Sequence, residues 1–218
     1  PVQVPSIVTG GAKTWAQRTD DGRYAMVYNP AKIGRWPLAV ATSDDGVTFD
    51  NLLLVNGEVP PRRFFGRAKD FGLQYTRGIS EGNGNPPGSD LWVTYSNNKE
   101  DIWISRIPVP VRSAVVGPVD DSFDQLDAGG TIPEWSVYRP RWANVSIAEF
   151  PSAANKSLLL EDRDPCDHAK AVRVFAEATS VRIGFRVFAR HSEAGRMEIE
   201  VLDGAGHRPV RIVLGEDA

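Results

Sequence analysis

Along residues 1–112 the apolar positions come in short runs rich in Val, Ile, Tyr, Trp and Phe, separated by turn clusters such as DDGR, NPAKIGR and EGNGNPPGSD. Runs this short, without a 3.6-residue period, predict strands rather than helices. They fall at 6–9, 14–18, 24–28, 38–42, 52–55, 74–79, 91–95 and 102–107. The pattern changes beyond a proline-studded connector, PVPVRSAVVGPVDD at 108–121, whose prolines break helix and central strand alike. SLLLEDRD, KAVRVFAE, SVRIGFRVFAR, RMEIEVLD and RPVRIVLG alternate apolar with charged residues, as strands do when one face packs and the other meets water. Val181, Ile183, Phe185 and Val187 would share one face, and Arg182, Gly184, Arg186 and Phe188 the other. The pattern therefore predicts an all-β chain of two domains, 1–112 and 113–218, the second a sandwich of two stacked sheets.

The first half contains a faint internal repeat. TWAQRTDDGRYAMVYNP followed by PLAVATSDD parallels QYTRGISEGNG through LWVTYSNNKEDIWISRIP: strand, Gly-rich turn, strand ending in Tyr, polar link, third strand. Tyr28 corresponds to Tyr95 and Trp15 to Tyr75. Repetition of one sheet unit is the mark of a propeller blade or a stacked β array. The turn SDDGVTF, after the strand at 38–42, is a second local signal. Ser43 and Asp45 can accept backbone N–H groups, Gly46 supplies a positive φ, and Thr48 and Phe49 can lock the turn onto its sheet.

That turn resembles the Asp-box of sialidase-like (BNR-repeat) propellers, with one residue fewer between Asp and Thr and Phe in place of Trp. The longer stretches KTWAQRTDDGRYAMVYNP, RRFFGRAKDFGLQYTRGISEGNG and LWVTYSNNKEDIWISRIPVPV resemble the closing blades of the same glycosidase family. The resemblance implies a partial propeller of about two blades, short of the roughly four to eight that close one. It makes Ser43, Asp45, Gly46, Thr48 and Phe49 structural, away from the catalytic face. The second half is similar, more loosely, to the laminin-G or concanavalin-like sandwiches (jelly rolls) that accompany such propellers, and it too looks incomplete. The chain then reads as a piece of a larger carbohydrate-active enzyme, secreted or periplasmic.

Within that frame QYTRGIS is the stretch that points to chemistry. The period of two puts Tyr75 and Arg77 on one face of an inner strand, with Trp15 and Gln17 at the matching positions of the preceding unit. Sialidases use a Tyr nucleophile activated by a Glu and hold the substrate carboxylate with arginines. Resemblance thus implies Tyr75 as nucleophile, Glu81 as its base, and Arg77, Trp15, Gln17, Arg63 and Lys99 as sugar contacts. Arginine suits such a clamp because its fork meets a carboxylate with two bonds. The alternative for Tyr75 is a packed strand aromatic, and for Glu81 and Lys99 the solvated tips of loops. Two other functions stay open: a polysaccharide lyase on the same scaffold, and a non-catalytic glycan-binding module. Trp135, Tyr138 and Trp142 in the second half are either sugar platforms or core.

Composition narrows the partners. Of 218 residues, 41% are apolar and 24% charged, with a net charge of −3, so nothing draws the chain broadly to nucleic acid. No apolar run approaches the roughly 20 residues of a membrane helix. The expected partner is an oligo- or polysaccharide. One cysteine, Cys166, rules out an intrachain disulfide and a Cys-based zinc cluster. The histidines, His168, His191 and His207, all fall in the second half, so the first offers no His for catalysis. Asp162, Asp164 and Asp167 beside His168 match no calcium-loop spacing. No metal or other cofactor is expected.

Overall fold

A computed structural model describes residues 7–10, 12–66, 71–79, 88–112, 117–190 and 195–215. These residues form strands and irregular segments, with no helix among them and therefore none able to cross a membrane. The chain divides into two compact units, one comprising Pro1–Ala114 and Asp121–Arg173, the other Val115–Asp120 and Val174–Ala218.

The first unit opens with an antiparallel four-stranded meander of β1 (Trp15–Arg18), β2 (Tyr24–Tyr28), β3 (Leu38–Ser43) and β4 (Asp50–Asn56), adjacent in chain order. A three-stranded meander follows: β5 (Leu73–Gly78), β6 (Leu91–Asn97) and β7 (Asp101–Ile107). The runs YAMVY and LAVATS are continuous rather than alternating because both faces of β2 and β3 are covered. Ala25, Val27, Leu38 and Val40 pack with Leu73, Leu91, Val93 and Tyr95 of the second sheet, while Met26, Tyr28 and Ala41 pack with Ile7 and Phe49 on the opposite face. A fully buried Val or Leu side chain contributes about 1.5–3 kcal/mol, so this seam between the sheets dominates the unit. Asn29 ties it further, its side-chain amide donating to the carbonyls of Pro37 (2.9 Å) and Leu73 (3.1 Å).

The SDDGVTF turn closes the β3–β4 hairpin. Asp45 Oδ1 accepts the N–H groups of Val47 (2.8 Å) and Thr48 (2.7 Å), and Oδ2 accepts the Thr48 hydroxyl (3.1 Å). Ser43 donates its hydroxyl to Asp45 (2.9 Å) and accepts the Gly46 N–H (2.8 Å). Gly46 has φ +76°, a left-handed conformation that favours glycine, and a Cβ there would touch the Tyr24 ring at 3.6 Å. These donors, Thr48 N–H first and Val47 N–H next, hold the Asp45 carboxyl down at about 2.

The same unit contains two further pairs: β8 (Trp135–Tyr138) with β11 (Lys170–Arg173), and β9 (Ala143–Ser152) with β10 (Asn155–Asp162). Ile132, Val145 and Ile147 are buried between them, with Phe123, Leu126, Trp135, Val137, Leu158 and Ala171 around. Among the described residues, the second unit holds one hairpin, β12 (Met197–Val201) with β13 (Val210–Leu214). Its exposed face is laced by Arg211, whose guanidinium donates to both oxygens of Glu198 at 2.8–3.0 Å.

Several elements differ from the sequence-based expectation: residues 7–9, expected as part of a strand, are irregular. Strands β8 and β9 form in WSVY and ANVSIAEFPS, where no strand was predicted. Conversely, the alternating run at 180–190 takes part in no ladder, and Val181, Ile183, Phe185 and Val187 are all exposed. A strand is completed by a ladder to a neighbouring strand, and among the described residues no ladder includes this segment.

Candidate functional site

Tyr75 lies in β5 at a bulge, where the register with β6 shifts between Gln74 and Arg77. Its φ is +58°, an uncommon and costly conformation for an aromatic residue. Gln74, Thr76 and Gly78 are buried, whereas Tyr75 and Arg77 are exposed, Tyr75 by 45%. The alternation expected for QYTRG therefore survives the bulge.

Three chain segments converge on the phenol. The first is the loop before β3: Arg35 accepts the Leu73 N–H on its carbonyl (2.8 Å), and its guanidinium donates to buried Gln74 (3.0 Å). Gly72 makes this approach possible, since a Cβ there would lie 2.4 Å from the Arg35 carbonyl oxygen. The second is the β6–β7 turn. Asn98 and Lys99 have φ of 53° and 56° and the Glu100 N–H returns to Asn97 (2.9 Å), a tight hairpin geometry. Buried Asn98 exchanges bonds with the Gly72 backbone, both at 3.0 Å, and so fixes the turn against the start of β5. The third is the approach to β1, which carries Lys13.

The guanidinium carbon of Arg35 lies 5.2 Å from the Tyr75 ring centre, Lys99 Nζ 5.7 Å and Lys13 Nζ 5.8 Å. The Arg35 guanidinium first, and then the Lys99 ammonium, favour the phenolate and hold the Tyr75 phenol below the usual tyrosine range. Tyr95 and Tyr138, by contrast, are pushed up, in each case chiefly by burial.

Trp15, Gln17 and Arg77 meet beside this cluster. The Trp15 indole donates to Gln17 Oε1 (3.1 Å), and the Arg77 guanidinium lies 5.8 Å from the Trp15 ring centre. Gly78 admits the indole, because a Cβ there would stand 2.0 Å from Trp15 Nε1. Arg63 is committed elsewhere: it pairs with Asp101 (2.7 Å) and Glu100 (3.5 Å), and Glu100 also accepts the N–H groups of Arg63 (3.0 Å) and Phe64 (2.9 Å). Glu81 lies outside the described residues. Arg35 and Lys13 were missed by sequence reasoning, since no spacing in the linear chain links the loop NPAKIGR to Tyr75.

The aromatics of the second half separate into two kinds. Trp135 packs on Phe123 with ring centres 5.9 Å apart and donates to Asp121 (2.9 Å). Tyr138 is buried between Trp103 and His168 and donates to Asp167 (2.8 Å). Trp142 alone of the three remains exposed.

Residues 135–218 match the family described as "Sialidase-like, CBM domain", a carbohydrate-binding module. A solved structure titled "Sialidase" is 47% identical and superposes with a TM-score of 0.70 over 78% of this chain. The chain spans 15% of the length of that sialidase. No curated protein matches the chain. The likeness is thus to a region of a sialidase and, over residues 135–218, to a sialidase-like carbohydrate-binding module.

Proposed function

We propose that this chain is a region of a sialidase-like carbohydrate-active enzyme, in which Tyr75 is the nucleophile toward a terminal acidic sugar. The observation that carries the reading is the Tyr75 phenol itself. It is exposed on a left-handed backbone, with the Arg35, Lys99 and Lys13 cations 5.2–5.8 Å from its ring centre. A tyrosine without a function would gain by relaxing that backbone and burying its ring. In the proposed step the phenolate attacks the anomeric carbon as the bond to the leaving-group oxygen breaks, giving a glycosyl-tyrosine that water later hydrolyses. Glu81 is the proposed base for the phenol proton. Arg77, Trp15 and Gln17 are the proposed sugar contacts, with Arg35 and Lys99 stabilising both the phenolate and a sugar carboxylate. Arg63 stays a weaker sugar contact, because binding through its guanidinium requires it to leave Asp101 and Glu100.

The scaffold proposed for this chemistry is a partial propeller. Support comes from the two meanders in chain order, from the proximity of their first strands β1 and β5, and from the Asp45-centred turn at the β3–β4 hairpin. Exposed Leu52 and Leu54 on β4 and Ile102 and Ile104 on β7 would then face further blades. In the protein that contains this chain, Tyr75→Phe should lower sialyllactose hydrolysis by roughly 100-fold or more. Unchanged turnover overturns the assignment, and release of an unsaturated uronate from an acidic polysaccharide would place the chemistry among lyases instead.

The match of 135–218 to a carbohydrate-binding module favours a second reading, a glycan-binding region without catalysis. It predicts glycan binding by the chain that is indifferent to Tyr75.

A further inference from the structure

The turn between β8 and β9 displays an aromatic ring among arginines, far along the chain from Tyr75. The sequence RPRWAN folds back on itself, with the Ala143 N–H donating to the Pro140 carbonyl (3.0 Å). The Arg163 N–H donates to the Trp142 carbonyl (2.9 Å), extending the β9–β10 ladder and fixing the Trp142 backbone from the other side. The indole is thus held on a stiff support, yet 52% of Trp142 is exposed. Its ring carries the Arg141 guanidinium 5.2 Å from its centre.

Around it opens a shallow groove of about 600 Å³ lined by Arg139, Arg141, Trp142, Asn144, Glu161 and Arg163. Glu161 accepts Arg163 Nε (2.9 Å), so one arginine is neutralised, while among the described residues no carboxylate pairs with Arg139 or Arg141. A solvated surface gains nothing from crowding like charges round an exposed indole. A ligand carrying an anion and an apolar ring face offsets both costs: the fork of an arginine takes a carboxylate with two bonds, and the indole face takes the C–H face of a pyranose. Asn144 and Glu161 supply a donor and acceptors for ring hydroxyls.

We propose that this groove is a binding subsite for a carboxylated sugar, separate from the Tyr75 cluster. The proposal rests on the reading that residues 135–218 bind carbohydrate, and adds to it the place and the chemical class of the ligand.

The test is a titration of the chain, with its tryptophan indole N–H signals assigned by single Trp→Phe variants, against sialyllactose, tri-galacturonate and lactose. The expected result is that the Trp142 signal shifts with one or both acidic sugars at least 10-fold more strongly than with lactose. The combined Arg139→Ala and Arg141→Ala variant, its other signals unmoved, should weaken that binding by at least 10-fold. The more potent acid identifies the source, sialate or uronate. Shifts at Trp135 or another tryptophan without Trp142 overturn the groove and leave carbohydrate binding by the region intact. Equal response to lactose overturns the acidic specificity, and no shift with any sugar overturns both the groove and the reading beneath it.

Discussion

Val27, Leu38, Leu73 and Val93 in the two meanders are sealed from water, whereas Val181, Ile183 and Phe185 in the second unit remain between 47% and 53% exposed. Both sets are β-branched, aliphatic or aromatic residues in runs that read as strands. The difference lies in pairing. Strand β3 has a hydrogen-bonded neighbour on each side, β2 and β4, and the β2–β3 pair meets a second sheet across a shared apolar seam. The segment 180–190 has neither a ladder partner nor a facing sheet among the described residues. Alternation along a strand defines which face is apolar, and only a partner turns that face into a core.

The sharpest way to test this contrast is to cut the seam. Leu38→Ala removes a fully buried side chain that packs in the cluster joining both sheets, and should cost about 2–5 kcal/mol in urea unfolding of the first unit. A cost below about 1 kcal/mol would mean that the two sheets do not share one core.

A smaller effect is expected at the β3–β4 turn. The Asp45 carboxyl is held at about 2 by the N–H groups of Thr48 and Val47. Its folded value lies below the ordinary carboxylate value near 4, so its stabilisation is complete above about pH 4 and is lost as pH falls through about 2. Asp45→Asn should flatten that acid limb of the stability profile. An unaltered limb would show that the turn does not depend on the charge.

The smallest effect belongs to the second unit: Ile183→Ser, at a half-exposed position, should change stability by no more than about 0.5 kcal/mol. A loss comparable to that of Leu38→Ala would show that the segment is packed in solution, and would erase the contrast.

Much of the first unit was legible because its signals are local. The strands at 24–28 and 102–107 and the turn at 43–49 are specified by propensity, by Gly and Asp chemistry and by short hairpins. The site was legible only in part, for the same reason. Tyr75 and Arg77 share a face by strand period, and Lys99 sits on a two-residue turn that its own φ of 56° helps to shape. Arg35 reaches Tyr75 through a backbone crossing at Gly72, a long-range contact that leaves no period or spacing in the sequence. The positive φ of Tyr75 itself is invisible for the same reason, because nothing in QYTRG asks for a bulge. Arg63 failed to join the cluster because Glu100 and Asp101, which follow Lys99 in the β6–β7 turn, capture it first. In the second half the alternation of 180–190 was legible as a pattern, but the lack of a ladder partner among the described residues was not, since a pattern says nothing of what lies opposite.

The Tyr75 phenol, flanked by the Arg35, Lys99 and Lys13 cations, is the proposed nucleophile toward an acidic sugar. The most direct measurement is mass spectrometry of the protein containing this chain after incubation with 2,3-difluorosialic acid, whose fluorine slows release of a glycosyl-enzyme. One added fluorosialyl group is expected on the peptide that contains Tyr75, absent from Tyr75→Phe. An adduct on another residue, or none in a preparation that hydrolyses sialyllactose, would contradict it.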